Sequence, residues 1–160
     1  MSTVMFHVPG IPKPQGSKRH VGGGRLVESS PGLQAWRRAV RFAATQMFTH
    51  TKPFTGPVGV ALNFRLPRPK SHYRTGRFAG RLRKAAPMLV TTRPDIDKLA
   101  RAVLDALTGP CYLDDNQVAS LQATKKYVDL SSPRAPEQVP GVMIYVTPLC
   151  PLPWPAHMYT

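Results

Sequence analysis

The residues best suited to chemistry are aspartates. Asp95 and Asp97 stand two apart in "RPDIDKLARAVLDALTG", and Asp114 and Asp115 stand together in "YLDDNQV". With Asp105 between them, Arg93 to Asp115 holds five of the chain's eight carboxylates, although the formal net charge is +14. Residues two apart in an extended segment point the same way, so Asp95 and Asp97 become neighbours. Carboxylates about 5 Å apart repel by ~3 kcal/mol at an effective dielectric near ~20. A third one joining them needs protonation or a bound cation. All-oxygen ligation suits Mg²⁺ or Mn²⁺, which bind through a few carboxylates plus substrate phosphate and can activate water against a phosphodiester. The bland alternative makes Asp95 a helix cap, pairs Asp97 and Asp105 with Arg101 at i, i+4, and leaves Asp114 and Asp115 in a solvated turn. For Asp105 helical pairing suffices and is preferred. For Asp95, Asp97 and Asp115, their joint occurrence in so basic a chain favours the metal.

These carboxylates need elements to position them. Leu99, Ala102, Val103, Ala106 and Leu107 repeat at helical spacing, which predicts an amphipathic helix over 97–108, closed by Gly109, with Asp97, Arg101 and Asp105 on its other face. Such a helix is about 17 Å long. The chain from Thr108 to Asp115 reaches about 23 Å when extended, so Gly109 and Pro110 can turn it back and set Asp115 beside the helix N-terminus. Asp115 then opens the next strand, expected over 117–128. On that strand strict alternation puts Lys125 on the side of Ala119, Leu121, Ala123 and Tyr127, where an unpaired ammonium is costly, so a carboxylate or phosphate partner is expected. The competing arrangement is a bulge that sends Lys125 to solvent and Lys126 inward.

Further strands are expected over 3–8, 58–66 and 142–147, the second showing the clearest alternation. Ser29 or Ser30 followed by Pro31 predicts the start of a helix whose apolar stripe is Trp36, Val40, Ala43 and Met47 and whose solvated face carries Arg37, Arg38 and Arg41. The stretch between the first strand and that helix is too rich in glycine and proline for helix or ladder, and carries Lys13, Lys18, Arg19, His20 and Arg25. From Arg65 to Arg93 there are nine Lys or Arg and no carboxylate, in a proline-interrupted basic loop. The order βαβαββ implies one α/β (α+β) domain over 1–150, with a small mixed sheet of about four strands and two main helices. A proline-rich tail follows over 151–160.

A pI near 10.6 points to a polyanionic partner, because neutralising phosphates releases counterions. Nucleic acid is expected over an acidic membrane, since no apolar run approaches a spanning helix. No secretory leader is recognisable at the N-terminus, and a soluble, cytoplasmic protein is expected. Cys111 and Cys150 lack zinc-site spacing and are expected to be ordinary thiols.

Arg93 to Val118, with its D-x-D, helix ending D-A-L and D-D-x-Q-V, resembles the RusA family of crossover junction endodeoxyribonucleases; the basic glycine-proline loop fits the family's layout too. The resemblance implies a Mg²⁺-dependent homodimeric nuclease that resolves four-way DNA junctions in recombination and repair by paired symmetric cuts. It further implies Asp95, Asp97 and Asp115 as the catalytic, metal-binding carboxylates, with Asp114 less favoured; Lys18, Arg19 and Lys125 fit its layout and are expected on the DNA, together with this chain's own Lys98 and Arg101. The chain departs from the family by having Lys98 where Asn is common and Arg101 where Lys is common. A guanidinium stays protonated, so Arg101 can clamp phosphate or stabilise developing charge but cannot move a proton. Two other readings compete: a non-catalytic basic nucleic-acid-binding protein, and a metal-dependent flap or single-strand nuclease with the same carboxylates.

Overall fold

The computed structural model describes residues 2–16, 18–20, 26–28, 30–132 and 134–149, with backbone alone for 18–20, 26–28 and Ala135. Every second residue of the fourth strand, β4 (Val58–Leu66), is buried, from Val58 through Val60, Leu62 and Phe64 to Leu66. That face is the floor of the core. Burying a side chain such as Phe64 contributes about 1.5–3 kcal/mol.

Strands β1 (Val4–Pro9) and β6 (Gly141–Pro148) pair antiparallel, β6 pairs antiparallel with β4, and β4 pairs in parallel with β5 (Val118–Tyr127). The sheet order is β1-β6-β4-β5. Helices α1 (Leu33–Met47) and α2 (Ile96–Leu107) pack on each other and on its apolar face, making one core with Trp36, Val40, Leu99, Val103 and Ile144. A one-turn helix, α3 (Ala135–Gln138), precedes β6. The architecture is the single small α+β domain with a mixed sheet that the element order implied; the tail over 151–160 lies outside the described residues. Among the described residues no helix is long and apolar enough to cross a membrane.

Three expectations need correcting. The glycine-rich stretch does form a ladder: β2 (Lys18–His20) pairs antiparallel with β3 (Leu26–Glu28), two three-residue runs that themselves contain no glycine or proline to bar it. Helix α1 is entered through Gly32 at φ 82°, a left-handed residue that no serine replaces cheaply; the Leu33 N–H bonds the Ser30 carbonyl, and Ser29 lies outside the described residues. Its buried stripe is Leu33, Trp36, Val40 and Ala44, and Met47 faces solvent.

The basic segment after β4 is held by its own hydrogen bonds. Arg68 donates from Nε to the Val128 carbonyl at 2.9 Å and from Nη1 to the Pro87 carbonyl at 2.8 Å. Arg74 N–H bonds Arg81 O and Arg83 N–H bonds His72 O, which closes a small loop around Phe78.

Candidate active site

Asp95 occupies the N-cap of α2 with extended backbone, yet its side chain caps nothing. The carboxylate turns instead to Lys98 Nζ, 3.1 Å away. The Lys98 ammonium beside it, helped by the charges of Arg93 and Lys125, holds the Asp95 carboxyl below the usual carboxylate range. Asp95 therefore stays ionised. Asp97 stands in the first turn of α2, exposed, where the helix dipole favours an anion. The two carboxylates of the D-x-D flank the helix start, and both reach solvent.

Behind them is Lys125. Its partner Phe64 in the ladder is fully buried, and paired residues share a face, so Lys125 points to the helix-covered side. A register shift does occur in β5, but upstream, between the Val58 and Gly59 pairs. The expected carboxylate or phosphate partner is replaced by backbone: Nζ donates to the carbonyls of Thr92 at 2.7 Å and Pro94 at 2.8 Å. These carbonyls take two of the ammonium's three N–H groups, and the bonds tie the approach to Asp95 onto β5.

Along the exposed face of α2, Arg101 follows one turn after Asp97. No carboxylate among the described residues lies within ion-pair distance of it. The expected pairing of Asp105 with Arg101 is absent among the described residues, as is the alternative pairing of Asp97, and the loop after β1 claims Asp105 instead. Gln15 Nε2 donates to Asp105 Oδ2, Arg37 approaches that oxygen at 3.6 Å, and Gln15 N–H bonds Lys98 O. Asp105 is thus structural, as its helical position suggested, through other partners.

The second acidic pair divides its labour. Asp114 accepts the Asn116 N–H, while Gln117 Oε1 accepts the N–H groups of Leu113 and Asp114, a reciprocal capping box. Gln117 Nε2 also donates to the carbonyls of Phe54 and Gly56, anchoring the turn to the approach to β4. Gln117 is an organiser that sequence reasoning left unassigned, although the D-x-x-Q spacing signals it. Asp115 is left exposed, with no hydrogen bond or ion pair from its side chain among the described residues.

Asp115 does not return to the start of α2. The chain beyond the helix folds on the spot: Cys111 N–H bonds Leu107 O, Gly109 N–H bonds Tyr112 O, and the Tyr112 hydroxyl donates to Leu104 O at 3.0 Å. Phe54 N–H bonds Cys111 O, which fixes this turn where β4 begins. Burial raises the Cys111 thiol to about 12, and burial, then Cys111, then Asp115 raise the Tyr112 hydroxyl. A parallel β4-α2-β5 crossover runs the helix against its strands. Asp115 accordingly sits by the C-terminal end of α2, while Lys125 places Asp95 by the far end of β5. The helix between them is about 18 Å long. Among the described residues no three His, Cys, Asp or Glu stand together to hold a metal. The oxygen donors of Asp95 and Asp97 suit a hard cation that keeps its waters, with substrate phosphate supplying further ligands. Lys18 and Arg19 contribute backbone to β2, and their side chains lie outside what is described.

The chain matches the family described as "Endodeoxyribonuclease RusA" over residues 8–139, a span that includes both acidic motifs. It is also 31% identical over 129 residues to "Uncharacterized protein YqaN" of Bacillus subtilis (strain 168), covering 79% of this chain and 89% of that one.

Proposed function

Since the chain belongs to the RusA family of endodeoxyribonucleases, we propose that it is a Mg²⁺-dependent, structure-selective endonuclease that resolves four-way DNA junctions, as a homodimer, by paired symmetric hydrolysis. The observation that carries this reading is the match over residues 8–139, which takes in the solvent-facing D-x-D at the head of α2.

Asp95 and Asp97 would hold the metal, which when bound supplies an activated water and neutralises charge on the leaving oxygen. The chain's own groups do the rest. Lys98 keeps Asp95 ionised until a cation takes its place. Arg101, which has no carboxylate within ion-pair distance among the described residues, would grip the scissile phosphate and stabilise charge that develops there. Lys125 acts through the carbonyls of Thr92 and Pro94 and is a positioning residue.

Asp115 completes this set from outside the chain. Its separation from Asp95 is the one observation that favours a merely DNA-binding protein, and a twofold dimer answers it: Asp115 of the partner subunit would join Asp95 and Asp97. A C2 dimer then presents two identical sites to a junction that itself has approximate twofold symmetry, so paired nicks follow from geometry.

The test is cleavage of a synthetic four-way junction in Mg²⁺ by the wild type and by Asp97→Asn. Paired cuts by the wild type, with retained binding but no cutting by the variant, support the reading. Binding without cleavage by the wild type would return the protein to the non-catalytic class. A panel of flaps, single strands and junctions decides the substrate, and preference for flaps would replace the junction by a related target of the same carboxylates.

A further inference from the structure

Beside Asp95 opens a cleft of about 840 Å³, walled by the segment after β1, the entry to α1 and the two ends of the basic segment. Its lining is unusual for a phosphate-gripping surface. Six prolines face it, among them Pro12, Pro31, Pro67 and Pro94, over a floor of Leu66, Val90 and Tyr127. Proline rings are flat, apolar and carry no N–H, so these walls offer little to a hydrated ion. They suit the face of a planar ring, as when apolar wedges separate stacked bases.

The rim has the opposite character. Lys13, Arg93 and Lys98 stand on it, and neither Lys13 nor Arg93 has a carboxylate within ion-pair distance among the described residues. Arg68 also lines the cleft, but its guanidinium is anchored from Nε to the Val128 carbonyl, from Nη1 to the Pro87 carbonyl and from Nη2 to Met88 Sδ. Within the apolar walls two hydroxyls, Ser30 and Thr92, make no side-chain hydrogen bond to other described residues. A volume of this order suits a ligand of small-molecule size and is far too small for a duplex. Apolar walls, a few polar groups within and cations at the mouth match the parts of a nucleotide: a base, its edge and its phosphate.

We propose that this cleft takes one unstacked nucleotide flanking the scissile phosphate, with its base against the proline wall, its edge read by Ser30 and Thr92, and its phosphate held by Lys13 and Arg93. The inference rests on the endonuclease reading and gives it a source of cut-site preference, which phosphate contacts alone do not carry. Ile11, half exposed on the cleft, is the place to block it, because a larger side chain there fills the space without touching the core.

The experiment uses four-way junctions carrying a single 2-aminopurine, whose emission is quenched by stacking, at each position flanking the cut phosphate in turn. With Ca²⁺ replacing Mg²⁺ the complex stays uncut. One flanking position is expected to brighten by at least about twofold on saturation, as an extruded base does. Ile11→Trp should abolish the rise, and Thr92→Val should alter which base is preferred at the cut in Mg²⁺. Thermal melting of both variants checks that they fold, and Thr92→Val carries the test should Ile11→Trp prove unstable. A junction that is bound and cut while every position stays dark overturns the cleft proposal alone, as does undiminished brightening by Ile11→Trp. A junction neither bound nor cut overturns the endonuclease reading, and this proposal with it.

Discussion

At the scale of single residues, Lys125 shows how a charge can serve a site without touching a substrate. Its ammonium is held by two carbonyls that frame the approach to Asp95. Lys125→Met keeps most of the apolar stem but leaves those carbonyls without their donor, which costs about 1–3 kcal/mol. Chemical denaturation is expected to show a lower midpoint at unchanged slope, and a midpoint equal to wild type would mean the carbonyls find water freely. Lys98 does something different. It depresses the Asp95 carboxyl, so the stabilisation from their pairing is fully present above the unfolded value of 3.8 and fades as pH falls through the lower folded value. Replacing Lys98 with Met should raise the Asp95 titration, followed by carboxyl NMR, toward the ordinary range. An unmoved titration would leave the depression to Arg93 and Lys125, the weaker contributors.

At the scale of elements, the tightest constraint lies where β6 begins. A Cβ on Gly141 would stand 2.5 Å from the Val8 carbonyl oxygen and 2.7 Å from His7 Nε2, so Gly141→Ala must push β1 off β6. A loss of about 1–3 kcal/mol is expected, as for other overpacked sites. Gly76 makes the contrast: its φ of +64° strains any side chain, but nothing lies within 4 Å, so Gly76→Ala should cost only about 1 kcal/mol. Melting temperatures of the two variants measure the difference, and equal values would show that β1 yields more easily than the contacts imply. Elements with a strong local pattern were legible in the sequence. The alternation of β4 and the apolar stripe of α2 appear in the structure within a residue or so of where periodicity puts them. What failed depends on longer range. Nothing local in Gly109 and Pro110 says whether the chain extends or folds back against Leu104 and Leu107, and that choice decides to which end of α2 Asp115 goes. The exposed carboxylates could be named from their spacing, but their separation could not, since it follows from the direction of a parallel crossover.

At the scale of the whole molecule, charge and symmetry make separate demands. A chain of formal net charge +14 should bind DNA with a steep salt dependence, about 0.9 in log K per log salt for each phosphate neutralised. A flat dependence would deny the basic segments their role. Symmetry can be tested more sharply, because a site shared between subunits behaves differently from one built within a chain. Take Asp97→Asn and Asp115→Asn, each expected to be inactive alone, and co-express them with different affinity tags so that the mixed dimer can be purified. If each site draws Asp115 from the partner, the mixed dimer has one site with both lesions and one with neither. It should then nick a single strand of the junction, where the wild type cuts two. If each chain completed its own site, both sites would carry a lesion and the mixed dimer would be as inactive as its parents. Restored nicking therefore requires exchange of Asp115 across the twofold axis, and a silent mixed dimer that still binds the junction removes the shared site from the mechanism.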